Sequence, residues 1–208
     1  MTRPFDAKAI PKCHDRLSKA KQALQHCRSA RNFADFASHW SSFLIHTGSI
    51  INAVEAGSKQ TPQGRQWHGG IKREGRKDPL LRYFFQARNA EEHALDPTTE
   101  HQQPGIGIGA GGESIYIKEF TPDQAFFQNP EKAIQGRIWR TADGKPPTIV
   151  HTPGGPQLLT VKDDRYGEAF PPPTEHMGKP LAKTDPVYVA ERYIEYLEQL
   201  VQKASDLS

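Results

Sequence analysis

Over the first hundred residues, apolar side chains recur at helical spacing, and the interruptions mark where helices begin and stop. In HDRLSKAKQALQHCRSA, Leu17, Ala20, Leu24 and Cys27 return every three or four residues with charges between them, which predicts a helix with one buried face. The following NFADFASHWSSFLIHTGSIINAVEAG carries Phe33, Phe36, Trp40, Phe43, Leu44, Ile51 and Val54 in a broad apolar stripe. Asn32 is placed to cap that helix, with Asp35 in its first turn, and Gly57 to end it. A third helix is expected from Asp78-Pro79, a capping aspartate before a proline at the first helical position. It would run through LLRYFFQARNAEEHAL and end before Asp96-Pro97.

The texture changes over residues 104–172. Glycine and proline become dense, and the β-prone runs ESIYIKEF, AIQGRIWR, PTIVHT and QLLTVKD are separated by turn signals such as ADGKPP and TPGGPQ. A small antiparallel sheet is expected there. The glycine run PGIGIGAGGES has no strand-turn-helix context and no following Gly-Lys-Ser/Thr, so it reads as a strand or hairpin leading into ESIYIKEF rather than a phosphate loop. A proline-rich loop, FPPPTEHMGKP, then leads to a last helix opened by Asp185-Pro186, with Val187, Ala190, Ile194, Leu197, Leu200 and Val201 on its apolar face. The expected class is α+β. An antiparallel helical bundle over 1–100 would carry a β-rich insertion over 104–172, and a C-terminal helix over 185–205 would pack back on the bundle.

Composition narrows the classes. No apolar run approaches the roughly 20 residues that cross a bilayer, and MTRPFDAKAIPKCHD lacks the apolar stretch of a signal peptide, so no membrane partner and a cytoplasmic location are expected. Cys13 and Cys27 fall on one predicted helix, separated by about 21 Å of rise, which is too far for a disulfide. The net charge of +3 is compatible with an anionic partner without requiring one. His39 and His46 share a helix face, but no compact His/Cys/carboxylate cluster accompanies them, so neither a metal nor another cofactor is expected.

One stretch of the third helix, QARNAEEHALDP, places Arg88 and Asn89 ahead of His93. Histidine can remove or relay a proton near neutrality, and arginine offers a permanently charged fork that suits an anion. At 100° per residue Arg88 and His93 stand roughly 140° apart around the helix, and Asn89 and His93 about 40° apart. The competing reading is a surface ion pair, because Arg88 and Glu92 stand at i,i+4.

This Arg-Asn-x-x-x-His pattern near the end of a bundle helix resembles the signature of the HEPN superfamily. The resemblance covers the helical residues 12–95 and 186–204, and leaves 104–172 uncovered. It implies a HEPN-like bundle and a homodimer in which two motifs line one cleft. It further implies a metal-independent endoribonuclease of a toxin–antitoxin or phage-defence kind, with an antitoxin or other protein as a further partner. In that reading the 2′-hydroxyl beside an RNA phosphodiester is the nucleophile, Arg88, Asn89 and His93 are catalytic, and the product is a 2′,3′-cyclic phosphate. Other members of the superfamily are inactive interaction or nucleotide-binding modules, which is the alternative here. Just ahead of the motif helix, KQTPQGRQWHGGIKREGRKDP carries Lys59, Arg65, Lys72, Arg73, Arg76 and Lys77. Those cations would guide a phosphate backbone, with Trp67 stacking on a base, unless the segment is a solvated basic connector.

Overall fold

The computed structural model describes residues 3–93, 96–110, 113–116, 148–152, 154–163 and 167–208, with the backbone alone for His93, 105–110, 113–116 and 148–152. The described residues are mostly helical with small antiparallel sheets. The α-helices are α1 (Ile10–Ser29), α2 (Phe33–Ser58), α3 (Pro62–Lys77), α4 (Pro79–His93) and α5 (Pro186–Asp206), and a 3-10 turn over Ala7–Ala9 precedes α1. By internal contacts the chain divides into two units, residues 1–100 with 156–208, and residues 101–155.

The helix starts follow the capping chemistry written in the sequence. Asn32 Oδ1 accepts the Asp35 N–H at 2.8 Å, Asp78 Oδ1 the Leu81 N–H at 3.0 Å, and Asp185 Oδ1 the Tyr188 N–H at 2.9 Å. Two local expectations change. Gly57 does not stop α2, which continues to Ser58; a side chain at Gly57 would run into Phe5 and Ala9, so the glycine serves close packing. Residues 62–77, read from the sequence only as a basic segment or solvated connector, form helix α3. Thr61 Oγ1 accepts the Gly64 N–H at 3.0 Å, and Pro62 occupies the first turn, where its missing N–H costs nothing. The helix ends at Lys77 because Asp78 precedes Pro79 and is held extended, at φ −82° and ψ 123°.

Packing in the first unit centres on Phe84 of α4. Its ring stacks on Tyr193 of α5 at 4.3 Å and 3° between planes, and lies 6.1 Å from Trp40 and 5.9 Å from Phe43 of α2. Trp40 Nε1 donates to Thr98 Oγ1 at 3.1 Å, and the Tyr83 hydroxyl donates to the Leu159 carbonyl at 2.9 Å, so the polar tips of these buried aromatics are satisfied. α1 packs along α2 and α5, and its two cysteines are buried free thiols. Burial pushes the Cys27 thiol up to about 12.

The strands are short. Strand β1 (Thr99–Gln102) pairs with β5 (Gly155–Leu158). In the second unit the glycine run forms β2 (Gly105–Ala110), antiparallel to both β3 (Glu113–Tyr116) and β4 (Thr148–Thr152), with Ile108 opposite Ile115 and Ile149. The expected strand AIQGRIWR lies outside the described residues. In the first unit β6 (Val161–Lys162) pairs with β7 (Ala169–Phe170). The proline-rich segment expected as a loop folds into a hairpin of β8 (Glu175–His176) and β9 (Lys179–Pro180), which packs on α4.

Candidate active site

Leu80, Tyr83, Phe84, Ala87 and Ala90 form the buried face of α4, which rotates Arg88 and Asn89 to the edge of that face. Gly48 of α2 makes room there. A Cβ on Gly48 would lie 2.6 Å from Arg88 Nε and 2.7 Å from its Cγ, so the arginine stem occupies the space that any other residue would fill. The Arg88 side chain is thereby only 21% exposed. Its Nη2 pairs with Glu92 Oε2 at 2.7 Å and its Nη1 donates to Asn89 Oδ1 at 3.1 Å. Nε is buried with no hydrogen-bond partner. The i,i+4 ion pair read from the sequence is therefore formed, and the same guanidinium holds Asn89.

A weaker polar chain continues from Asn89. Its Nδ2 lies 3.5 Å from Gln86 Oε1, and Gln86 Nε2 lies 3.4 Å from Asp163 Oδ2, both at the long limit for hydrogen bonds. Beneath Arg88, burial raises the Tyr193 hydroxyl above the usual tyrosine range, and the guanidinium charge opposes that shift. Tyr193 is accordingly a neutral donor at any ordinary pH. His93 is the last residue of α4; its side chain lies outside the described residues.

The expected phosphate-binding set lies on α3 and separates into two sides. Arg65, Lys72 and Arg76 fall within about 40° of one another around the helix, and Arg73 about 80° from Arg65. All are exposed, as is Lys77 at the last turn. Two of these groups already have partners: Arg65 Nη1 donates to the Lys59 carbonyl at 2.9 Å, and Lys72 pairs with Glu55 at 3.2 Å. Trp67 stands about 160° from Arg65, on the other side of α3. It is half-buried, with its ring 5.8 Å from Phe5 and nearly perpendicular to it. The helix thus places Arg65, Lys72 and Arg76 on one side and Trp67 on the other, with Lys77 about 80° from Trp67. Buried His68 holds its proton more weakly than usual, through burial first and the Lys72 charge second.

No family model, curated protein or solved structure matches the chain. Among the described residues, no group of three or more His, Cys, Asp or Glu side chains is arranged to hold a metal ion, and no helix is long and apolar enough to cross a membrane.

Sequence reasoning found Arg88, Asn89 and Glu92 from local spacing. It missed Gly48, whose only signal was a glycine in the middle of a long apolar helix, where the residue costs roughly 1 kcal/mol relative to alanine. It also missed the partners of Asp78. Besides capping α4, Asp78 accepts His176 Nδ1 at 3.0 Å and the Met177 N–H at 2.6 Å, which ties the β8–β9 hairpin to the start of the motif helix.

Proposed function

We propose that the chain is a HEPN-like, metal-independent endoribonuclease that works as a homodimer. The supporting observation is the state of Arg88, a mostly buried cation with its stem seated on Gly48, an unpartnered Nε and Asn89 fixed on its Nη1. A guanidinium held this way keeps its fork in one orientation, which is what recognition of a phosphate in a transition state requires. In the proposed reaction His93 accepts the 2′-hydroxyl proton, the 2′-oxygen attacks phosphorus, and the bond to the 5′-oxygen breaks. The departing oxygen takes a proton from the conjugate acid of a second His93, supplied by the other subunit. The products are a 2′,3′-cyclic phosphate and a 5′-hydroxyl. Arg88 stabilises the charge on the phosphoryl oxygens and Asn89 positions the phosphate. Arg65, Lys72, Arg73, Arg76 and Lys77 attract the RNA backbone along α3.

The ion pair from Arg88 to Glu92 favours a second reading, a catalytically silent module that binds a protein partner or a nucleotide, because a carboxylate occupies the place where phosphate would bind. Incubation of labelled RNA in EDTA with the wild-type protein and with the His93→Ala and Arg88→Ala variants decides between them. Cleavage to a cyclic phosphate by the wild type and silence of both variants is the expected result. No cleavage by the wild type, or equal cleavage by all three, overturns the enzyme reading.

A further inference from the structure

A cleft of about 430 Å³ opens between α3, α5 and the β8–β9 hairpin, with Trp67, Ile71, Glu74, Met177, Tyr196 and Lys203 in its walls. That size suits a small heterocyclic ligand. Trp67, Ile71 and Glu74 fall within about 60° of one another on one face of α3, and α5 contributes Tyr196 and Lys203.

Met177 is the unexpected member. The hairpin turns through two left-handed residues, Met177 at φ 49° and Gly178 at φ 72°, where Asn-Gly is the favoured pair. A methionine in that conformation carries backbone strain that asparagine or glycine avoids. The backbone there is held down by the carboxylate of Asp78, yet the side chain is not used for the core, being 44% exposed and facing the cleft. What the position retains at the expense of its turn is a polarisable thioether, a group that packs well against aromatic rings.

The carboxylate is equally specific. The Tyr196 hydroxyl donates to Glu74 Oε2 at 3.1 Å. Burial first and the Glu74 charge second raise the Tyr196 hydroxyl well above the usual tyrosine range, so it remains a donor and orients the carboxylate. Glu74 keeps Oε1 and one lone pair of Oε2 for a ligand that offers two adjacent N–H groups.

We propose that this cleft binds a guanine base, with its plane against Trp67 and Met177, its N1–H and N2–H donating to Glu74, and an attached phosphate held by Lys203. Guanine alone among the four RNA bases presents two neighbouring N–H donors on its Watson–Crick edge. Adenine and cytosine set an unprotonated ring nitrogen beside their amino group, and uracil flanks one N–H with two carbonyls; each would turn an acceptor toward Glu74. The site does not depend on the RNA-cleaving reading. Its guanine can come from a free mononucleotide or from an unpaired base in a strand.

Calorimetric titration of the full chain with GMP, AMP, CMP and UMP tests the proposal. GMP is expected to bind at least about tenfold more tightly than the other three, with the preference erased in Glu74→Gln. Met177→Asn relaxes the turn, so its melting temperature is expected to match or exceed that of the wild type while GMP affinity drops about fivefold. Equal affinity for the four nucleotides, no GMP binding at about 1 mM, or a Met177→Asn variant that binds like the wild type overturns the assignment. A 2′-deoxy oligonucleotide with one unpaired guanine, compared with its adenine counterpart, identifies the source, and it cannot be cleaved through a 2′-oxygen. Tighter binding than GMP with the guanine strand preferred assigns a strand, weaker binding assigns a free nucleotide, and both support the guanine site.

Discussion

The two ends of α4 show how one helix can be fixed at one terminus and left available near the other. At its start, Asp78 is 5% exposed and its two carboxylate oxygens accept from Leu81, His176 and Met177. Ten residues on, or about 15 Å of helix rise, Arg88 has its stem seated on Gly48 but is more exposed, at 21%, leaves Nε without an acceptor and shares its fork between Glu92 and Asn89. A buried carboxylate with all its partners inside the fold serves stability. A seated cation with spare donors can serve a ligand, because the ordering of its long side chain is already complete before anything binds.

If that contrast is right, the largest loss of stability comes from the first end. Asp78→Ala removes the α4 cap and leaves the Met177 N–H and the His176 ring without their acceptor, for a combined cost of about 3 kcal/mol. In a chain of this size, that lowers the melting temperature by roughly 10 °C. A shift of less than about 3 °C would mean that the carboxylate is replaceable and that the two ends do not differ in kind.

Acid titration sharpens the same test. His68 and His46 both bind protons more weakly in the fold than their ordinary value of 6.5, through burial first and neighbouring cations second, Lys72 for His68 and Arg16 for His46. The unfolded chain therefore takes up protons first as pH falls. Their contribution to stability is complete above 6.5 and is lost below it, on the way down through the folded values. Urea midpoints should thus decline from about pH 7.5 to pH 5 in both the wild type and Asp78→Ala. His68→Gln should flatten part of the decline. A wild-type midpoint that rises toward acid would contradict the burial of these imidazoles.

The second end is tested by moving Arg88 without touching it. In Gly48→Ala the new methyl group competes with the arginine stem, while alanine strengthens α2 by up to roughly 1 kcal/mol. The two effects should leave the melting temperature within about 3 °C of the wild type. Under the proposed RNA-cleaving function, cleavage should nevertheless fall about tenfold, as a misplaced guanidinium loses its alignment with phosphate. Unchanged cleavage would show that the seat on Gly48 has no role in the chemistry.

The parts of this molecule that were legible in the sequence are those fixed by near neighbours. The Asn32, Asp78 and Asp185 caps reach only three residues, and the stripes of α2 and α5 are built from large apolar side chains. Helix α3 was obscured because its buried positions include glycine and histidine, at Gly64 and His68, and its charges read as a connector. The second role of Asp78 was out of reach because His176 is 98 residues away, in a segment whose prolines suggested a loop. At the candidate site, the Arg88–Glu92 pair was visible from i,i+4 spacing. The glycine that seats Arg88 belongs to another helix, and nothing local announced it.

The smallest stability effect is also the one that bears most directly on which reading of Arg88 holds. Glu92 is 29% exposed and pairs with Arg88 one turn away, a geometry that contributes about 0.5 kcal/mol on a helix surface. Glu92→Gln keeps the side-chain length and removes the charge, so the melting temperature should move by no more than about 2 °C. RNA binding should respond in the opposite sense. The carboxylate both occupies Nη2 and repels phosphate, so its neutralisation should tighten binding of an uncleavable 2′-deoxy strand about threefold at low salt, with the gain fading as salt is raised. If the pair instead completes a purely structural surface, Glu92→Gln leaves nucleic-acid binding where it was. In that case Arg88 acts on its neighbouring side chains alone, and both ends of α4 serve stability.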